Sequence, residues 1–130
     1  MSSSLIMLGR IMLGLFFVAT GGLQLVGVTD AGGLAPLAGF IAAFGVPAPT
    51  MVAGTVIIFQ ILAGLAVVFD RFLIPASLLL ALFCLATALI FHRFWSVPVE
   101  LLTGQLYQFM KNFGLAGAFI GLAGDKMRHT

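Results

Sequence analysis

Charge is what this chain has least of. Its 130 residues include six basic and four acidic side chains, 8% of the total, where a soluble globular chain carries about 25%. So few ions cannot solvate the surface of a 13.7 kDa globule. Cysteine is nearly absent as well: the single Cys84 permits no internal disulfide, no CxxC redox pair and no cysteine-rich zinc site. The basic residues stand singly, and the net charge is only +2 despite a pI near 9.2. No nucleic-acid-binding patch is therefore available, and no nucleic-acid partner is expected. No GxGxxG, P-loop or Ser-His-Asp set can be assembled, which argues against an enzyme acting alone.

What is present is hydrophobicity, at 62% of residues with a mean hydropathy of +1.21. Disorder requires the opposite composition. These values describe an integral membrane protein, all-α, and at about 20 residues per helical span the length allows three or four crossings. The expected fold is a single transmembrane domain over residues 1–130, a four-helix bundle with spans at about 5–28, 51–69, 72–91 and 106–122.

Breakers and charges set those limits. The first apolar run, Leu5 to Val28, contains one charge, Arg10. It is too long for a signal-peptide core and no A-x-A cleavage pattern follows, so it is expected to be retained. From Thr29 to Thr50, Gly32, Gly33, Gly39, Gly45, Pro36, Pro47 and Pro49 preclude a straight spanning helix. Within that segment Leu34, Leu37, Ile41 and Phe44 recur every three or four residues, with Pro36 near the front and Gly45 past the end. That pattern predicts a short interfacial or re-entrant helix. The Asp70-Arg71 pair separates the second and third spans, and Pro75 falls in the first turn of the third, where a missing N–H costs little. A polar stretch from His92 to Gly104 precedes the fourth.

With four crossings, Arg10, Arg71, Lys126 and Arg128 share one side, and Arg93 and Lys111 lie toward the other. The positive-inside rule then puts both termini in the cytoplasm. His92 and His129 fall on opposite sides, so neither bis-histidine haem ligation nor a two-histidine metal site is expected.

Polar groups inside hydrocarbon need a partner, a cavity or a function. Arg10 lies more than one turn into the first span: structurally a snorkelling or bundle-locking arginine, functionally an anionic-lipid site. Gln60, near the centre of the second span, is either an interhelical hydrogen-bonding group or part of a ligand or proton path. Toward the outer end stand Gln24, His92, Arg93 and Trp95, with Gln105, Gln108 and Asn112 on one face of the fourth helix and Lys111 beside them. Singly these are interfacial anchors and snorkellers. Together they are candidates to line a pocket for a small quinone-like or lipid-like ligand. Gly114, Gly117, Gly121 and Gly124 form a small-residue stripe suited to close helix packing, within the bundle or against a partner subunit. Cys84, mid-span among Leu, Phe and Ala, reads as a small hydrophobe.

Leu8-Gly9-Arg10, Phe44-Gly45-Val46-Pro47-Ala48-Pro49, Ile90-Phe91-His92-Arg93-Phe94-Trp95, Gln108-Phe109-Met110-Lys111-Asn112 and Leu115-Ala116-Gly117 occur in an order and spacing that resemble the DoxX family of small four-helix bacterial membrane proteins. The resemblance spans nearly the whole chain. It implies four transmembrane helices with a cytoplasmic N-terminus, and association with oxidoreductase systems, including membrane complexes that pass electrons from sulfur compounds to quinone. The positions it carries over are Arg10, His92, Trp95, Lys111 and Asn112. One departure stands out: similar proteins often carry a glutamate in the middle of the second span, where this chain has Gln60. An amide cannot take up or release a proton as a carboxylate does.

Two functions follow from this reading. One is a redox-associated membrane protein whose outer polar cluster holds a quinone or a bound lipid, with no intrinsic cofactor. The other is a non-catalytic accessory subunit that packs through its glycine stripe or its short helix against a larger respiratory or other energy-transducing complex. A small transporter is the weakest alternative, because no discontinuous-helix pair or midplane charge pair is visible.

Overall fold

A computed structural model describes residues 2–27 and 33–130 of the chain. Over them the protein is all-α: α1 (Ser2–Val26), α2 (Leu34–Ala42), α3 (Pro49–Val68), α4 (Leu73–Phe91), a 3₁₀ turn (Phe94–Ser96) and α5 (Val99–Arg128). Among the described residues three stretches, Ser3–Val26, Pro49–Val68 and Leu73–Ser96, are long and apolar enough to cross a membrane. They match the first three expected spans closely; the expected limits at Val28 and Thr29, and the breaker Gly32, lie outside the described residues.

The fourth helix differs from expectation. It starts at Val99 rather than near Leu106, so much of the polar stretch after His92 is helical. Pro98 precedes its first turn and Glu100 lies within it, where a carboxylate meets the positive end of the helix dipole. At 30 residues α5 is long enough to span, but Lys111 in its middle and Asp125, Lys126 and Arg128 near its end make it more polar than the other three.

The helices group into two compact units, Met1–Phe72 and Leu73–Thr130. In the first, α1 and α3 run antiparallel. Arg10, Gly14, Phe17, Gly21 and Gln24 recur at alternating steps of four and three, and the buried face of α3 repeats the same rhythm at Ala53, Ile57, Gln60, Gly64 and Val67. This spacing lines up one continuous seam on each helix. The backbones touch along it: a Cβ on Gly14 would lie 2.7 Å from the Gly64 carbonyl oxygen, and one on Gly64 would lie 2.8 Å from that of Gly14. Lipid tails are as apolar as leucine, so close backbone approach of this kind is what draws helices together in a bilayer.

The short helix α2 covers α3 with Leu37, Ala38 and Ile41. Gly33 at its start and Gly45 beyond its end both adopt positive φ, 86° and 78°, which a side chain would disfavour. The Gly33 N–H donates to the Gln24 carbonyl and ties the start of α2 to the end of α1.

In the second unit α4 and α5 form an antiparallel pair joined by the 3₁₀ turn. Their seam is built from Ala76, Ala81, Cys84 and Ala88 on α4 and Asn112, Ala116, Phe119, Leu122 and Ala123 on α5. Alanine and a fully buried phenylalanine, rather than glycine, set the spacing here.

Candidate functional site

The polar residues of the first unit are engaged with one another or with backbone. Arg10 reaches from α1 to the C-terminal end of α3, where Nη1 donates to the carbonyls of Val67 (2.7 Å) and Val68 (2.5 Å). A helix leaves its last four carbonyls without intrahelical donors, and in hydrocarbon no water replaces them. Here the Phe69 N–H serves Leu65, Arg71 N–H serves Ala66, Asp70 N–H serves Val67, and Arg10 completes the set. Asp70 makes this possible by taking φ 56°, the left-handed conformation that ends many helices. Arg10 thereby ties α1 to the end of α3.

Gln60 Nε2 donates to Gln24 Oε1 at 2.7 Å. The two candidates that sequence depth separates, one near a helix end and one mid-span, form a single pair across the seam, and Gln60 is buried there. Such interhelical amide bonds contribute about 0.6 kcal/mol on average in membranes. Gly21 sits beside the pair, 3.3 Å from the Gln60 Cβ by the same measure. The signal for this pairing was the four-three spacing that puts Arg10, Gly14, Gly21 and Gln24 on one face of α1.

The second unit gathers the remaining candidates. At the end of α4, His92 Nδ1 lies 2.9 Å from Gln105 Oε1 on the second turn of α5. Two residues after His92 and one turn beyond Gln105, the rings of Phe94, Trp95 and Phe109 meet edge to face, with centroids 5.1 to 5.8 Å apart. Trp95 is 55% exposed and His92 half-buried. Arg93 turns back, its Nε donating to the Leu89 carbonyl at 3.0 Å. Lys111 stands within electrostatic reach of both His92 and Cys84. Asn112 is buried on the α4-facing seam, whereas Gln108 is exposed. Gln105 was a lesser candidate in the sequence, and Phe94 and Phe109 carried no functional signal there.

Of the two uses that the glycine stripe offers, close packing of α5 on α4 is not the one seen among the described residues. Among the described residues a Cβ on Gly114, Gly117, Gly121 or Gly124 would meet nothing within 4 Å, so none of them draws α4 and α5 together. Their helix packs through the neighbouring Ala116, Phe119 and Ala123 instead. Among the described residues no cluster of three or more His, Cys, Asp or Glu side chains could hold a metal.

Apolar helices that satisfy their own backbone and end in a polar and aromatic cluster define a small all-α membrane protein. The chain belongs to the DoxX family, whose model matches residues 5–93. The match contains Arg10, Gln24, Gln60 and His92 and ends before Trp95, Gln108, Lys111 and Asn112. The chain is also similar to the inner membrane protein YphA of Escherichia coli strain K12, 30% identical over 84 residues, which are 65% of this chain and 60% of that protein. The similarity therefore spans less than two thirds of that relative's length. No solved structure matches.

Proposed function

We propose that the protein is a redox-associated DoxX-family protein of the bacterial inner membrane, and that the His92 end of the α4–α5 pair holds a quinone-like or lipid-like ligand near the outer face. In this reading α5 is the fourth span and both termini are cytoplasmic. The inner-membrane location draws support from the name of the similar Escherichia coli protein and from three apolar helices. The ligand site rests on one observation: a His92–Gln105 hydrogen bond next to the Phe94, Trp95 and Phe109 ring cluster, at one end of the α4–α5 pair. A flat aromatic head group fits that combination, with ring surface to stack on and polar groups to fix orientation. Lys111 and Asn112 would add polar contacts, and Gln108 would sit at the rim. Gln24, engaged by Gln60, is left out of the proposed set.

Quinone extracted from protein purified out of native membrane tests this reading. The expected result is bound quinone in the parent and a loss of at least half of it in His92→Ala and Lys111→Ala variants that keep their helical circular dichroism. Stoichiometric quinone in both variants would sink the site, and no quinone in the parent would sink the ligand class.

The accessory-subunit reading is favoured by a separate observation, the open glycine face of α5. A helix from another chain could approach it closely. Purification in mild detergent is expected to bring down a larger complex if this is its use, and a lone small species would count against it.

A further inference from the structure

Building on the ligand site proposed above, we infer that it selects the hydroxyl-bearing, reduced form of its ligand, a hydroquinone or related phenol, over the carbonyl-bearing form, because Gln105 holds His92 with Nε2 as a hydrogen-bond acceptor. A neutral imidazole carries one N–H, and the partner of one ring nitrogen decides what the other presents. The atom of Gln105 that faces His92 Nδ1, at 2.9 Å, is Oε1, which only accepts. The ring proton is therefore on Nδ1. Nε2 is left with its lone pair, and no other hydrogen bond engages the ring among the described residues.

That lone pair sets the chemistry. A phenolic hydroxyl donates to it directly. A quinone carbonyl has no proton and would place one lone pair against another. The rings of Phe94, Trp95 and Phe109 offer the same stacking surface to both forms, so they add affinity without choosing between them. The choice falls to Nε2. One hydrogen bond gained by one form and denied to the other corresponds to about tenfold in affinity.

Gln105 is a positioning residue in this scheme, since it acts through His92. Its variants separate the roles. Gln105→Glu keeps an acceptor opposite Nδ1 and should keep the preference. Gln105→Leu removes the restraint, lets the proton move to either nitrogen, and should bring the two forms to parity.

The test uses the full chain in detergent at pH 8, above the ordinary range of an imidazole. Histidine-selective nitrogen-15 spectra report the tautomer directly, and with two histidines in the chain a His129→Gln variant assigns the signals. Anaerobic titration with a short-chain benzoquinone and with its hydroquinone, followed by quenching of Trp95 fluorescence, reports the preference. Expected are a protonated Nδ1, a bare Nε2 and hydroquinone bound about tenfold more tightly, with the preference kept in Gln105→Glu and lost in Gln105→Leu. A proton on Nε2, or equal affinity in the parent, would overturn the inference and leave the ligand site standing so long as His92→Ala still weakens binding. Binding of neither form, or binding indifferent to His92→Ala, would remove the ligand site itself.

Discussion

In the first unit α1 and α3 meet backbone to backbone at Gly14 and Gly64, and the polar groups on the seam are consumed in holding it: Arg10 on the α3 carbonyls, Gln24 on Gln60. In the second, α4 and α5 meet through alanines and Phe119, and polar groups remain that the seam does not need. His92 and Gln105 bond at its end, beside an exposed tryptophan. The difference separates two uses of polarity inside a membrane. A polar side chain that satisfies a neighbouring helix builds structure, and one that keeps a donor or acceptor in reserve can meet a ligand.

The largest way to break that comparison is at the glycines. A Cβ on Gly64 would lie 2.8 Å from the Gly14 oxygen and 2.9 Å from the Val18 nitrogen. Both are backbone atoms that cannot rotate aside, so Gly64→Val must push α1 and α3 apart. Overpacking of this kind costs about 3 kcal/mol, and more where backbone is the obstacle. Gly117→Val meets nothing within 4 Å and is expected to change stability by less than about 0.5 kcal/mol. Unfolding of the two variants in detergent, side by side, decides the matter; equal stability would mean that the glycine contact does not hold the first unit.

A smaller effect is expected at Arg10. Arg10→Ala leaves the Val68 carbonyl with no donor and Val67 with one. Hydrogen bonds from a charged group contribute about 1.5–3 kcal/mol, and the loss should fall in that range in the same unfolding measurement. Arg10→Lys, which keeps the charge but lacks the planar fork, is expected to recover part of it. An alanine variant as stable as the parent would return Arg10 to the role of a surface snorkeller.

The sequence revealed the rods better than their azimuths. Length, charge and the breakers at Gly33, Gly45, Pro49 and Asp70 located α1 to α4 to within a few residues, because a helix end is a local event. Packing is not local. Gly117 and Gly121 carry a familiar small-residue spacing, yet a Cβ on either would meet nothing within 4 Å among the described residues, whereas Gly14 and Gly64, on different helices, meet closely. Gln24 and Gln60 differ in sequence depth, and hydropathy reports depth alone, so their pairing could be found only from the four-three seam. His92 was legible as a candidate because it converges with Trp95, Gln108, Lys111 and Asn112 toward one end of the spans. Gln105 and Trp95 stood in the same outer cluster, but the His92–Gln105 bond and the ring contacts of Phe94 and Phe109 were not legible, since the helix that carries Gln105 and Phe109 begins earlier than polarity suggested.

The finest test of the comparison lies at Ser77. It is fully buried on the α4 seam, and its Oγ has no hydrogen-bond partner among the described residues. A hydroxyl left in that condition destabilises rather than binds, because its desolvation is not repaid by a bond. Ser77→Ala removes the hydroxyl and leaves a side chain that the alanine-lined seam already accommodates at Ala76, Ala81 and Ala88. The expected result is an unchanged or higher unfolding midpoint, by up to about 1 kcal/mol, with ligand binding at the His92 end unaffected. A destabilised variant would show that the hydroxyl has a partner in the membrane. The second unit would then join the first as a seam whose polar groups are committed to structure, and only the His92–Gln105 end would remain in reserve.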